Sequence, residues 1–216
     1  EQLQQEVAEI SGLNKGTLTI ASYYSIASQW LPTIITRFHR DYPNIEINVI
    51  EGVWQEVSSN LTEHRADMGF YSYMPTIKYH WIPLKNVPLV AVLPANHPLA
   101  EKTHIRLEDL ENETIIMPDY GSDVDVENLF ANKKQKYQFS TLHLQTAMGM
   151  VEQGMGVSIT NELFTKGYNY DVKVLPLDPP RSTNFGLSFP ADTKLTPAAA
   201  KFIEYTKAII RDSSMF

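Results

Sequence analysis

Gly16-Thr17-Leu18-Thr19-Ile20-Ala21-Ser22-Tyr23-Tyr24-Ser25 decides the reading of this chain. Thr17 to Ile20 alternates like a half-buried strand, and the spacing then turns helical: Ile26, Trp30, Leu31, Ile34, Ile35, Phe38 and Tyr42 share one apolar face. Pro32 falls inside that run, so the helix is either kinked there or begins late. Tyr42-Pro43-Asn44 stops it, and Ile45 to Val49 alternates again. Strand, helix and strand in this order are the building block of a parallel sheet covered by helices.

The pattern repeats outward. Val53 to His64 reads as a helix, Ala66 to Tyr71 as a buried strand, and Leu89 to Leu93 as a strongly apolar strand after Pro88. Ile115 to Met117 is a strand, with a helix capped by Ser122 or Asp123 behind it and an extended run from Tyr137 to Leu144. Leu144 to Ile159 reads as a helix entering a strand at Gly156. Val172 to Leu175 and Phe185 to Phe189 flank the breaker Asp178-Pro179-Pro180. The last helix has Thr196 as N-cap and Pro197 at its first position, with Ala199, Phe202, Ile203, Thr206, Ile209 and Ile210 facing inward. The expectation is an α/β fold in two lobes.

Composition removes several function classes. With 216 residues and 43% hydrophobic content the chain can bury a core, and a net charge of −7 opposes gripping a phosphate backbone. The absence of cysteine excludes disulfides, thiolate metal sites and a cysteine nucleophile. No apolar run reaches the ~18 residues needed to span a bilayer, and no signal-peptide pattern is present. The six histidines lack metal-ligand spacing. No acid/base pair, phosphate-binding loop or nucleophile elbow occurs, and Gly154-Met155-Gly156 precedes a strand rather than a helix. No catalytic residues, no metal and no cofactor are expected.

Binding chemistry remains. Ser22 and Ser25 flank a strand-to-helix turn, where unpaired N–H groups and a partial positive charge can hold a carboxylate or carbonyl oxygen. The alternative is plain N-capping. Gly121-Ser122-Asp123 and Thr146 repeat the arrangement in the second half. Tyr23, Tyr24, Tyr71, Tyr73 and Tyr120 fall at strand ends, where a flat ring with a hydroxyl suits a pocket wall. Ligands of open α/β sheets bind beyond the carboxyl ends of the strands, where these residues lie.

Read in order, the chain resembles the effector-binding domain of a LysR-type transcriptional regulator. The carrying motifs are Gly16-Thr17-Leu18-Thr19-Ile20, Leu31-Pro32, Phe38 before Tyr42-Pro43, Ala66-Asp67-Met68, His97-Pro98-Leu99, Val151-Glu152-Gln153-Gly154-Met155-Gly156-Val157 and Leu195-Thr196-Pro197-Ala198-Ala199-Ala200-Lys201-Phe202. The resemblance implies two lobes of the periplasmic-binding-protein type joined by two crossing strands, residues 13–88 with 190–216 forming one and 89–189 the other. Residues 1–12 would end a linker helix from a DNA-binding helix-turn-helix outside this sequence. It further implies a cytoplasmic homodimer or tetramer, with the helices after Ser25 and Thr146 in the dimer face. DNA would be bound only through that other domain.

By the same resemblance the effector contacts are Ser22, Tyr23, Tyr24, Ser25, Tyr71, Ser72, Pro118, Tyr120, Gly121, Ser122, Gln145 and Thr146. Many relatives carry an arginine after the loop glycine, but Asp123, Val124 and Asp125 stand here. The ligand expected is therefore a neutral, zwitterionic or weakly acidic metabolite. The alternatives are a periplasmic solute-binding protein of an ABC-type importer, or an enzyme on the same lobes.

Overall fold

The computed structural model describes residues 15–75, 79–118, 124–130, 136–167, 169–192 and 194–212. They divide into two compact units: unit 1 runs up to Lys85 and resumes at Asn184, and unit 2 is Asn86–Thr183. Each division falls inside a strand that carries the chain onward, β4 (His80–Pro94) and β9 (Ser182–Phe189). The sequence-based limits at 88 and 189 lie further along these same two strands.

In unit 1, β1 (Gly16–Ser22) lies between β2 (Ile45–Glu51) and β3 (Met68–Ser72), parallel to both. β9 closes the row antiparallel to β3, with Tyr71 opposite Gly186. The predicted single helix after Ser25 is two: α1 (Tyr24–Gln29) and α2 (Leu31–Asp41), broken at Trp30. The break places Pro32 in the first turn of α2, where a missing N–H costs nothing. α3 (Trp54–Thr62) is shorter than expected because Glu63 caps it and His64 turns to φ 53. α6 (Pro197–Arg211) starts as its sequence demands, the Thr196 hydroxyl accepting from the Ala199 N–H at 3.2 Å.

The two helix faces meet over an aromatic group. Phe38 is wholly buried, with ring centroids 5.2 Å from Phe202, 4.9 Å from Tyr42 and 5.5 Å from Tyr205. On α3's side of the sheet, Ala21, Val57, Leu61, Ala66 and Tyr71 form a second cluster.

In unit 2, β4 pairs antiparallel with both β7 (Ser158–Asn161) and β8 (Val172–Pro176). β5 (Thr114–Pro118) pairs parallel with β6 (Lys136–Thr141), and a parallel bridge joins Ile115 to Val157 just before β7. α4 (Val124–Phe130) contributes Val126 and Phe130 to the unit's core, beside Leu89, Ile115, Met117 and Ile159. α5 (Leu144–Glu152) buries Leu144, Ala147, Met148 and Val151.

The segment after α5 explains the Gly-x-Gly motif. Gly154 has φ 75, its N–H reaching the Val151 carbonyl at 2.8 Å while the Met155 N–H reaches Met150 at 3.1 Å. This left-handed stop satisfies two carbonyls at the helix end. Gly156 has a different task. A Cβ there would stand 2.3 Å from the Thr114 carbonyl oxygen, so only glycine lets the chain enter the bridge beside β5.

Asp109 ties a one-turn helix in unit 2. Its carboxylate receives the Lys102 ammonium and the Arg106 N–H, the latter at 2.9 Å. Those bonds, Lys102's first, hold its pKa below the ordinary 3.8. A depressed carboxylate stabilises the fold above its unfolded pKa, and the contribution fades as pH falls through the folded value. Asp109→Asn is expected to lower stability at pH 7 by no more than about 1 kcal/mol. Thermal melts should show this difference closing below pH 3.8.

Candidate functional site

In unit 1 the carboxyl ends of three parallel strands come out at one edge of the sheet. Ser22 is in register with Glu51 on one side and Phe70 on the other. Backbone bonds lock the exits: Tyr23 N–H to the Phe70 carbonyl at 2.9 Å, Gly52 N–H to Ser22 at 3.0 Å and Tyr73 N–H to Asn184 at 2.8 Å. α1 and α3 both begin at this edge, so Ser22 to Ser25 and Ser72 are brought together with Gly52, Val53 and Trp54.

The serines differ in what they have left to offer. Ser22 is buried and donates to the Tyr23 carbonyl at 3.0 Å. Neither serine caps α1, whose N-cap is Tyr23 with no side-chain cap bond. Ser25 is 0% exposed and its Oγ has no hydrogen-bond partner. A buried hydroxyl in that condition costs about 1–3 kcal/mol, so the plain capping reading does not account for it. Ser72 is buried, while Tyr23 and Tyr24 are half-buried.

Tyr71 sits deeper than its place at a strand end suggested. It is wholly buried in unit 1, its hydroxyl bonded to Ser188 and its ring 4.8 Å from Trp54 and 5.2 Å from Trp81. Burial pushes the hydroxyl well above its usual pKa. Tyr71 braces the wall from within, whereas Tyr73, 49% exposed and 5.6 Å from Trp81, reaches solvent. Gly186 makes room for this packing, because a Cβ there would meet the Trp81 ring at 2.4 Å and the Ile82 carbonyl oxygen at 2.5 Å.

In unit 2 the parallel pair ends in register at Pro118 and Thr141. Gln145 and Thr146 follow in the first turn of α5, both exposed, behind the N-cap His143. The Gln145 carbonyl accepts from the Tyr170 hydroxyl at 3.3 Å, and the Thr146 N–H donates to the His143 carbonyl at 3.1 Å. Tyr120, Gly121 and Ser122 lie outside the described residues, as do residues 1–12 and the Ser122/Asp123 cap.

Sequence reasoning passed over Trp54, Trp81 and Asn161. The signal for Trp54 was available: an alternating strand, then Gly52, then a helix start repeats the Ser22 to Ser25 pattern. Unit 1 also holds two adjoining cavities of about 210 and 290 Å³ that share His64 and Pro190, lined in part by Ala66 and Asp67 ahead of β3. Among the described residues no three His, Cys, Asp or Glu cluster as metal ligands, and no helix is long and apolar enough to cross a membrane.

The LysR substrate-binding-domain model matches residues 11–210. An uncharacterized HTH-type transcriptional regulator of Bacillus subtilis (strain 168), YvbU, is 30% identical over 213 residues, covering 97% of this chain and 73% of its own. The Synechocystis PCC6803 CcmR regulatory domain, solved with 2-PG, superimposes with a TM-score of 0.85 at 21% identity, over 92% of this chain and 99% of that one. The effector-binding domain of QuiR, solved with shikimate, gives 0.82 at 22% identity, over 92% and 98%. Nothing in these matches supports the solute-importer alternative. An α/β chain of the periplasmic-binding-protein type, built from strand ends dressed with hydroxyls and matching this family along nearly its whole length, belongs to the LysR substrate-binding domains, the effector-sensing part of LysR-type transcriptional regulators.

Proposed function

We infer that this domain binds a small neutral, zwitterionic or weakly acidic metabolite through its strand-end residues and converts occupancy into a change of conformation. The observation that carries the reading is the family match across residues 11–210. For the ligand class, the support is electrostatic. Ser22 to Ser25, Gly52 to Trp54, Ser72, Tyr73, Pro118 and Thr141 to Thr146 include no lysine or arginine. A dianion would rest there on backbone dipoles alone. QuiR's shikimate is a hydroxylated monocarboxylate of the class favoured here.

Ser25 supplies the coupling. Its hydroxyl is enclosed, so a ligand group reaches it only when the packing around α1 opens. A ligand that bonds the opened arrangement and not the closed one shifts the population between them by its difference in affinity. In this reading the domain is not an enzyme. It acts in the cytoplasm as a homodimer or tetramer and signals to DNA through a helix-turn-helix domain of the full regulator.

Ser25→Ala and Thr146→Ala are expected to weaken shikimate binding by roughly five- to tenfold each, about one hydrogen bond's worth, with Ser25→Ala melting at or above wild type and Thr146→Ala near it. Calorimetric titration checks this. Affinities equal to wild type in both variants would remove these residues from the site.

A further inference from the structure

Asn161 ends β7 in unit 2 and is 1% exposed, and its Oδ1 has no hydrogen-bond partner. It precedes a one-turn helix, Glu162–Thr165, yet makes no side-chain cap bond to it. The usual reason for an asparagine at a helix start therefore does not apply. Alternation along β7 sets Asn161 on the face of Ile159, a core residue, and its register partner on β4 is Leu89, also core. At this position an aliphatic side chain would suit the packing better, and a buried unpaired carbonyl oxygen is a standing cost to the fold.

Its location gives that cost a use. β7 continues from the parallel bridge beside β5, and β5 is parallel to β6. Asn161 thus emerges at the same edge as Pro118 and Thr141, on the face that Val126 and Phe130 of α4 help to cover. Among the described residues, Ser25 has the same signature in unit 1: a fully buried side-chain oxygen without a partner, just past the carboxyl end of a parallel strand.

We propose that Asn161 is a ligand-contacting residue of unit 2, its unpaired Oδ1 accepting a hydrogen bond from a hydroxyl or N–H group of the effector. This rests on the effector-domain reading above and narrows its ligand class. The carbonyl oxygen can only accept, so it selects a molecule that carries a donor next to its acid or neutral core. A ligand whose sole polar group is an ionised carboxylate cannot satisfy that oxygen and would meet only the amide NH2. Hydroxylated small acids and neutral hydroxylated or amide-bearing molecules fit.

The test pairs stability with binding in the isolated domain, using shikimate as the donor-bearing probe and benzoate as the donor-free one. Replacing an unpaired buried polar group by an apolar one of similar shape is neutral or stabilising, so Asn161→Leu should melt at or above wild type. Wild type should bind shikimate in preference to benzoate. Asn161→Leu and the smaller Asn161→Ala should both bind shikimate at least tenfold more weakly. A melting temperature several degrees lower in Asn161→Leu would mean that the amide serves the fold, and would overturn the assignment. Shikimate affinity unchanged in both variants would also overturn it, and if Ser25→Ala alone weakens binding the effector reading still stands. Preference of wild type for benzoate, or binding of neither probe, overturns the ligand class.

Discussion

Phe38→Ala is expected to destabilise unit 1 by about 3–5 kcal/mol, the range for emptying an aromatic site in a packed core. The ring is fully buried where α2 meets α6, and it meets Phe202 at an interplanar angle of 69°. Its removal leaves Tyr42 and Tyr205 facing a void that two stiff helices cannot collapse to fill. The measurement can be made specific to this unit. All three tryptophans, Trp30, Trp54 and Trp81, belong to unit 1, so their fluorescence during urea titration reports on it alone. The midpoint of the fluorescence transition should fall sharply. A variant with the wild-type midpoint would show that the helix pair does not depend on that ring.

The second large effect belongs to unit 2. Gly156→Ala places a methyl group 2.3 Å from the Thr114 carbonyl oxygen, a backbone atom with no rotamer to escape into. Relief requires the strands to part, which breaks the Val157 N–H bond to Thr114 at 2.9 Å and the Ile116 N–H bond to Val157 at 2.8 Å. Overpacking and two lost bonds together predict a loss of about 3 kcal/mol or more. Gly149→Ala is the control, since a Cβ there meets nothing within 4 Å. In the interior of α5 that change should stabilise by about 0.5–1 kcal/mol, because alanine has the lower cost of ordering. Far-UV circular dichroism is the suitable probe, and equal melting temperatures for the two variants would refute the argument.

Periodicity made much of the fold readable before any coordinates. The switch from alternation to a helical stripe at Ser25 located β1 and the helices behind it, and Thr196-Pro197 marked the start of α6 to the residue. Trp30 shows the limit. Nothing local distinguishes a kinked helix from two helices, and the choice follows from packing: Ile26, Trp30, Leu31 and Ile34 are all buried. For the candidate site, residue type and strand-end position were enough to nominate Ser25 and Thr146. They could not show that Ser22 would bond to its neighbour's carbonyl while Ser25 would be left without a partner. Tyr71 carries the same lesson, because its depth depends on Gly186 from a distant strand admitting Trp81 beside it. Asn161 had no marker in the sequence. Its meaning lies in an absent bond.

Unit 1 is assembled from both sides of unit 2, which has a consequence for synthesis on the ribosome. The middle of the chain, Asn86–Thr183, is complete and able to condense while unit 1 still lacks β9 and α6. During that interval β3 is paired with β1 alone and lacks its β9 neighbour along Gly69 to Ser72, and Phe38 waits for Phe202. The nascent chain therefore holds an open strand edge and an uncovered apolar helix face until β9 and α6 have left the exit tunnel, and it is in that window that a chaperone would find its target.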